Sequence, residues 1–247
     1  MIDMHCHLLP GLDDGPATLA EAVELARVAV ADGITDSVVT PHVQPGRYDN
    51  QRQNIELYLR AFRLALAKHG IPLELHMGAE VRVCMESLNL LKQGQVPFVG
   101  EHRGMPVLLL ELPHSHVPVG SLQLVDKLLQ MNIRPMIAHP ERNKALMENP
   151  SRLQPFVAIG CWLQLTAGSV TGAFGKGAQK LAHRLLDEDA VRVVATDAHN
   201  LTARRPELRP AHTWISQRWG AEMADDLMLH NPRHMLGLGH RTEHAAP

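Results

Sequence analysis

A chain of 247 residues that is 45% hydrophobic and 20% charged can bury a sizeable core, as one large domain or two small ones. Its formal charge of −2, with Lys and Arg spread along the whole chain, gives no reason to expect a nucleic-acid groove or a polybasic membrane patch, so an anionic substrate must be met by local groups. Cys6, Cys84 and Cys161 are odd in number, far apart and outside any Cys-x-x-Cys pair, which argues against a disulfide framework and a thiolate zinc site.

The chain begins Met1-Ile2-Asp3-Met4-His5, without a positive region leading into an apolar one, and no apolar run reaches membrane-spanning length. The expectation is a cytoplasmic protein with no membrane insertion. Segment 1–6 reads as a strand, followed by the turn-rich Pro10-Gly11-Leu12-Asp13-Asp14-Gly15 and a helix from Leu19 to Ala31. Strand 34–40 leads into a loop, Pro41-His42-Val43-Gln44-Pro45-Gly46, and a helix from Ile55 to Lys68. Strands 73–79 and 106–111 precede a helix from Leu122 to Met131. Strand 133–138 runs into the loop Pro140-Glu141-Arg142-Asn143, and strands 161–165 and 191–195 flank a helix from Ala178 to Asp187.

Short apolar runs alternating with amphipathic helices are the signature of parallel βα units. Seven such strands suit a closed seven-stranded (β/α) barrel, a distorted relative of the TIM barrel, better than an open doubly wound sheet. No linker, internal repeat or low-complexity tract interrupts the pattern, so residues 1–238 read as one domain and 239–247 as a frayed tail.

In a parallel barrel the chemistry sits at the carboxyl ends of the strands. Strand one ends in His5-Cys6-His7, whose imidazoles share a face because alternate strand residues do. The following strands deliver Thr40-Pro41-His42, Gly78-Ala79-Glu80, Leu110-Glu111, Ala138-His139-Pro140 and, from the last, Thr196-Asp197-Ala198-His199. Any one of these groups alone could cap a loop or pair with a neighbour. Six of seven strands ending in a cation ligand is not chance placement. Imidazoles mixed with carboxylates and no thiolate favour Mn²⁺, Fe²⁺, Zn²⁺ or Mg²⁺, and there are enough ligands for two or three ions.

Arginines point to phosphate, because a guanidinium grips two phosphate oxygens at once and stays charged when partly desolvated. Arg142 lies three residues beyond His139, and Arg204 lies just beyond His199, with Arg47 a weaker third candidate. A cysteine-dependent tyrosine phosphatase needs Arg six positions after its Cys. Those positions hold Leu12, Leu90 and Ala167, so that mechanism is excluded. His114-Ser115-His116 follows Pro113 and reads as loop, with substrate contact as its functional alternative. The remaining histidines, His76, His183 and His212 among them, lack partners at useful spacing.

These motifs together resemble the PHP (polymerase and histidinol phosphatase) superfamily, and within it the bacterial protein-tyrosine phosphatases of capsule and exopolysaccharide operons. Ile2-Asp3-Met4-His5-Cys6-His7, Gly11-Leu12-Asp13-Asp14-Gly15, Thr40-Pro41-His42, Gly78-Ala79-Glu80, Ala138-His139-Pro140-Glu141-Arg142-Asn143 and Thr196-Asp197-Ala198-His199 follow the family's order. The resemblance implies a seven-stranded barrel, three metals, often manganese, and hydrolysis of phosphotyrosine by a metal-bound hydroxide. It also implies a protein substrate, the tyrosine-rich tail of a kinase that controls polysaccharide export. By the same resemblance His5, His7, Glu80 and Asp197 hold one ion. Glu80, Glu111 and His139 hold a second, and Asp14, His42 and His199 a third, while Arg142 and Arg204 bind the phosphoryl group. Asp14 enters on the resemblance alone. A small-molecule phosphoesterase such as a histidinol-phosphate phosphatase and a non-catalytic metal-binding scaffold are the alternatives, and the His-rich loop after Glu111 departs from the better-known members.

Overall fold

The computed structural model describes residues 1–239, so the expected tail lies outside the described residues apart from Gly239. Eleven strands occur among the described residues. They are β1 (Ile2–Cys6), β2 (Asp36–Val39), β3 (His42–Gln44), β4 (Tyr48–Asp49), β5 (Glu74–Met77), β6 (Glu80–Arg82), β7 (Gly100–His102), β8 (Met105–Glu111), β9 (Arg134–Ala138), β10 (Trp162–Thr166) and β11 (Val193–Ala195). Each of the seven predicted segments overlaps one of them, β8 and β10 each running one residue beyond the predicted bounds. The four additional ones are short, and two correct the sequence reading.

The segment after Pro41, expected as loop, continues as β3, and the strand at 73–79 resumes after a break as β6. At the first break Pro41 has no N–H to give to a ladder. At the second, a Cβ on Gly78 would lie 2.7 Å from Val38 Cγ1 and 2.9 Å from Val99 Cγ1, so only glycine fits between them. Across both breaks the two segments keep each other as partner in one register, Asp36 opposite Glu74 and His42 opposite Glu80, and only their outer neighbours change. β2 pairs with β1 and β5 in a three-stranded parallel sheet, whereas β3 and β6 join a second sheet ordered β11-β10-β9-β8-β6-β3-β4, with β7 on β8. The ladders thus form two sheets instead of one continuous ring. They stay joined where β2 runs into β3 and β5 into β6, with Gly78 N–H donating to Val39 O at 3.0 Å and Glu80 N–H to Pro41 O at 3.2 Å. They meet again at the parallel bridge Cys6 to Ala198, flanked by His7 N–H donating to Ala198 O at 2.8 Å and Asp197 N–H to His5 O at 2.8 Å.

Helices at Leu19–Asp32, Arg52–Lys68, Ser121–Gln130 and Lys176–Asp187 lie within a few residues of their predicted positions. The first starts at Thr18, whose side chain and that of Glu21 form a reciprocal capping box, and ends at Gly33 in the left-handed conformation. Its buried stripe, Ala22, Val23, Leu25, Ala26 and Ala29, joins the main core together with outward-facing strand residues such as Leu163 and Leu165. The helix Arg209–Trp219 and the turns after it bury Ala211, Ile215, Leu227 and Met228 in that core. A second cluster gathers Ile2, Met4, Val38, Val107, Leu109, Met136, Ala138, Val193 and Ala195 from five strands. None of the described helices is long and apolar enough to cross a membrane.

Candidate metal centre

All nine predicted ligand residues converge where the strands end. His42 and Glu80 stand directly opposite each other in the β3–β6 ladder, set side by side by the register carried over from β2 and β5. His139 and Asp197 follow the last residues of β9 and β11 with φ of +35° and +51°, two of the five non-glycine residues with positive φ among those described. L-residues enter that region at a cost of order 1–3 kcal/mol, and such strain concentrates where side chains must be aimed. Each turn swings its side chain into the cluster.

Three sets of ligand atoms lie mutually within 4.8 Å: His5, His7, Glu80 and Asp197; His7, Asp14, His42 and His199; and His42, Glu80 and Glu111. The first agrees with the set the resemblance implies. In the third, His42 takes the place assigned to His139, whose Nε2 sits 2.7 Å from the other Glu80 oxygen, Oε1. His139 is thus one step outside that set and shares its carboxylate. Asp14, which no strand-end argument selected, faces both His42 Nε2 and His199 Nε2 at 3.3 Å.

The tautomers are set from behind. His7 Nδ1–H donates to Asp13 Oδ2 at 2.7 Å, His5 Nδ1–H to Gln164 Oε1 at 3.0 Å, and His199 Nδ1–H to the Asp197 carbonyl at 2.8 Å. The Gln164 amide cannot turn the other way without losing its own bond to Leu165 O. With Nδ1 committed in this way, His5 and His7 turn their Nε2 atoms, 3.1 Å apart, toward one point, where a proton shared between the rings in the metal-free state would give way to a cation. In addition His42 Nδ1 lies 3.0 Å from Glu80 Oε2 and 3.8 Å from Glu111 Oε2, and His199 Nε2 lies 3.3 Å from Asp14 Oδ1, contacts outside hydrogen-bond geometry that gather buried donor atoms as a ligand set does. Divalent cations fit this donor set.

The electrostatics give the same result. Burial opposes the charged form of Glu80 and of Asp197, yet His5, His42 and His139 around Glu80, and Arg142 and His5 beside Asp197, hold both carboxyls well below the usual range. Burial pushes Glu111 up, reinforced by the nearby Glu80 charge. Burial likewise opposes protonation of His7 and His42, but Asp13 outweighs it at His7, and Glu80 with Asp14 holds His42 up at about 9. At pH 7 the metal-free cluster accordingly stores protons on rings that a metal requires bare. Addition of Mn²⁺ to the metal-free protein at pH 7 is expected to release at least one proton from the His7 and His42 pair. Titration calorimetry in buffers of different ionisation enthalpy measures this, and a buffer-independent heat would refute it.

Asp13 is the functional residue that sequence reasoning passed over. Besides His7 it accepts the backbone N–H of His42 at 3.0 Å and of Gly15 at 3.0 Å, and pairing with His7 overcomes its burial to hold it down at about 2. The turn can pack there because a Cβ on Gly15 would meet His7 O at 2.4 Å. Leu-Asp-Asp-Gly displays two adjacent carboxylates, and nothing in the string tells the ligand from its support. Asp13→Asn should weaken metal affinity about 10- to 100-fold, as loss of a carboxylate behind a ligating His commonly does. Unchanged affinity in a metal titration would remove Asp13 from the site.

Arg142 and Arg204 flank the cluster on one side. Arg142 Nη1 donates to Asp197 Oδ2, and Arg204 reaches the same oxygen at 3.4 Å and Asp14 Oδ2 at 3.5 Å. Arg47 instead lies over the Tyr48 ring, 4.9 Å from its centroid, and Tyr48 stacks on His42. The His114 loop is tied to the Arg142 turn: Asn143 Nδ2 donates to Pro113 O and His116 O, and Lys144 N–H to His114 O. Elsewhere His76 pairs with Asp36 and His212 with Asp225. Cys6 and Cys161 are buried thiols, pushed up by desolvation, Cys161 to about 12.

A family model for capsular polysaccharide synthesis, CpsB/CapC, matches residues 1–237. The chain belongs to the CpsB/CapC family. It is 36% identical over 223 residues to the tyrosine-protein phosphatase YwqE of Bacillus subtilis, covering 90% of this chain and 87% of the relative. Among solved structures it superposes with a TM-score of 0.89, at 34% identity over 96% of this chain and 95% of the other, on one from a study of YwqE and of CpsB from Streptococcus pneumoniae. That study describes them as metal-dependent tyrosine phosphatases. A mutant of organophosphorus hydrolase from Deinococcus radiodurans shares the fold, with a TM-score of 0.59 at 15% identity over 96% of this chain and 92% of the other.

Proposed function

We propose that this CpsB/CapC family member is a metal-dependent protein-tyrosine phosphatase, and that residues 1–238 act as one phosphatase domain. The observation that carries the reading is the joining of three ligand sets through shared His7, His42 and Glu80 next to two arginines anchored on Asp197. Two or three divalent ions, Mn²⁺ first among them, would be held by His5, His7, Asp14, His42, Glu80, Glu111, Asp197 and His199, with His139 completing the Glu80 side. Bound there, such ions supply an activated water at neutral pH and neutralise charge growing on the phosphoryl oxygens. Arg142 and Arg204 clamp those oxygens. A phenolic leaving group, with a reference pKa of about 10, asks for less protonation than an alkoxide.

The two sheets support reading the fold as a distorted seven-stranded barrel, in which β2 with β3 and β5 with β6 each fill one position. The physiological partner in this reading is a phosphorylated tail of a bacterial tyrosine kinase that regulates capsule or exopolysaccharide synthesis, met in the cytoplasm. The test is hydrolysis of a phosphotyrosyl peptide and of histidinol phosphate by metal-stripped protein with Mn²⁺, Mg²⁺ or Zn²⁺ restored in turn. Metal-restored turnover of the peptide is expected. Preference for histidinol phosphate would transfer the site to small phosphate esters, and turnover of neither with metal bound would leave a scaffold.

A further inference from the structure

The chain has four phenylalanines. Phe62 and Phe156 belong to the core and Phe98 packs against it, whereas Phe174 stands outside both hydrophobic clusters, half-buried in the loop before the helix Lys176–Asp187. It lines a cavity of about 340 Å³ together with His114, Arg142, Met147, Ala178 and Arg204. The two arginines are the pair that reaches Asp197, so the phosphate-binding groups and an apolar wall share one space. The wall is built to hold its shape. A Cβ on Gly168 would lie 2.7 Å from Phe174 Cε2, and one on Gly177 would lie 3.1 Å from Met147 Sδ, so two glycines make room for the two large side chains. Arg142 fixes the ring from its own side, with the guanidinium carbon 4.8 Å from the Phe174 centroid.

We infer that Phe174, with Met147 and the His114 loop, forms the aryl subsite that receives the ring of a phosphotyrosine whose phosphoryl group sits on Arg142 and Arg204. This rests on the phosphatase reading above and names what that reading lacks, the residues that distinguish an aryl from an alkyl phosphate. A cavity of this size is at the small end of ligand pockets and suits one ring, not a large cofactor. A phenyl group entering it meets a phenylalanine edge or face and a polarizable thioether, both favourable partners for an aromatic ring. A phosphoserine side chain places no ring against that wall.

The test compares binding of benzylphosphonate and methylphosphonate to the metal-loaded protein by calorimetry, in the wild type and in Phe174→Ala and Phe174→Leu. The wild type should favour the benzyl compound, and Phe174→Ala should reduce that preference about tenfold, the scale of a lost aromatic pair plus its buried area. Phe174→Leu keeps apolar bulk and secures the comparison should the alanine variant fold poorly; it should lose part of the preference. A wild type without preference, or variants that retain it in full, would overturn the subsite. Equal weakening of both phosphonates would also overturn it, because Phe174 would then act only through Arg142. Preference intact but no turnover of a phosphotyrosyl peptide would fault the phosphatase reading and leave the aryl site standing.

Discussion

Alanine at both Arg142 and Arg204 is expected to lower turnover of a phosphotyrosyl peptide by about 10³-fold or more, since a single preorganised donor to a developing oxyanion is commonly worth 10²–10³-fold. Bound metal should stay unchanged. The reason lies in how the two side chains are held: both forks rest on Asp197 Oδ2. The arginines therefore wait in position for phosphate without reorganising, and both are partly withdrawn from water, where their charge counts for more. Arg142 should matter more when changed singly, because it is the less exposed and is also braced by Phe174. Metal analysis beside kinetics decides the case. Unchanged turnover refutes the phosphate clamp, and loss of metal with turnover would move the arginines from substrate binding to holding Asp197.

The second large effect is expected at Glu80. Its carboxylate belongs to two of the three ligand sets, its other oxygen meets His139, and it is fully buried. Glu80→Gln should therefore cost the protein more than one ion and lower activity about 10²-fold or more, beyond the 10- to 100-fold typical of groups that merely support a ligand. Glu111→Gln provides the contrast. Glu111 joins a single set and is already tied to Arg82 at 2.8 Å, so its loss should cost no more than one ion. Metal stoichiometry by elemental analysis, with circular dichroism as a check on folding, separates the two. Equal metal content in both variants would show that Glu80 is not the shared ligand.

Both predictions involve residues selected from sequence because strand ends are local events. An apolar run followed by His-x-His, or by Asp-x-His, declares its own register, and alternation alone puts His5 and His7 on one face. The same logic located Glu80, Glu111, His139 and Asp197 without any tertiary information. The helices were legible for a similar reason. Thr18 with Glu21 and the terminal Gly33 write the limits of Leu19–Asp32 into adjacent residues.

What escaped depended on approach between distant segments. The continuation of the chain as β3 and β6 requires Gly78 to lie against Val38, forty residues before it, and Val99, twenty-one after it, contacts that no local pattern encodes. The support for His7 by Asp13 and not Asp14 depends on a turn closing over His7 O, and the choice of His42 over His139 in the third ligand set follows from the β3–β6 register. Phe174 carries no local signal of its place, which is set where Arg142, thirty-two positions earlier, rests on its ring.

By itself the sequence determined the alternation of strands and helices, the ligand types, the phosphate-seeking arginines and the absence of a cysteine nucleophile, because each is carried by residues a few positions apart. Only the tertiary structure decided which ligands share an ion, which carboxylate stands behind which imidazole, and where a substrate ring can lie. Those choices turn on distances of a few ångströms between segments that the chain brings together only when it folds.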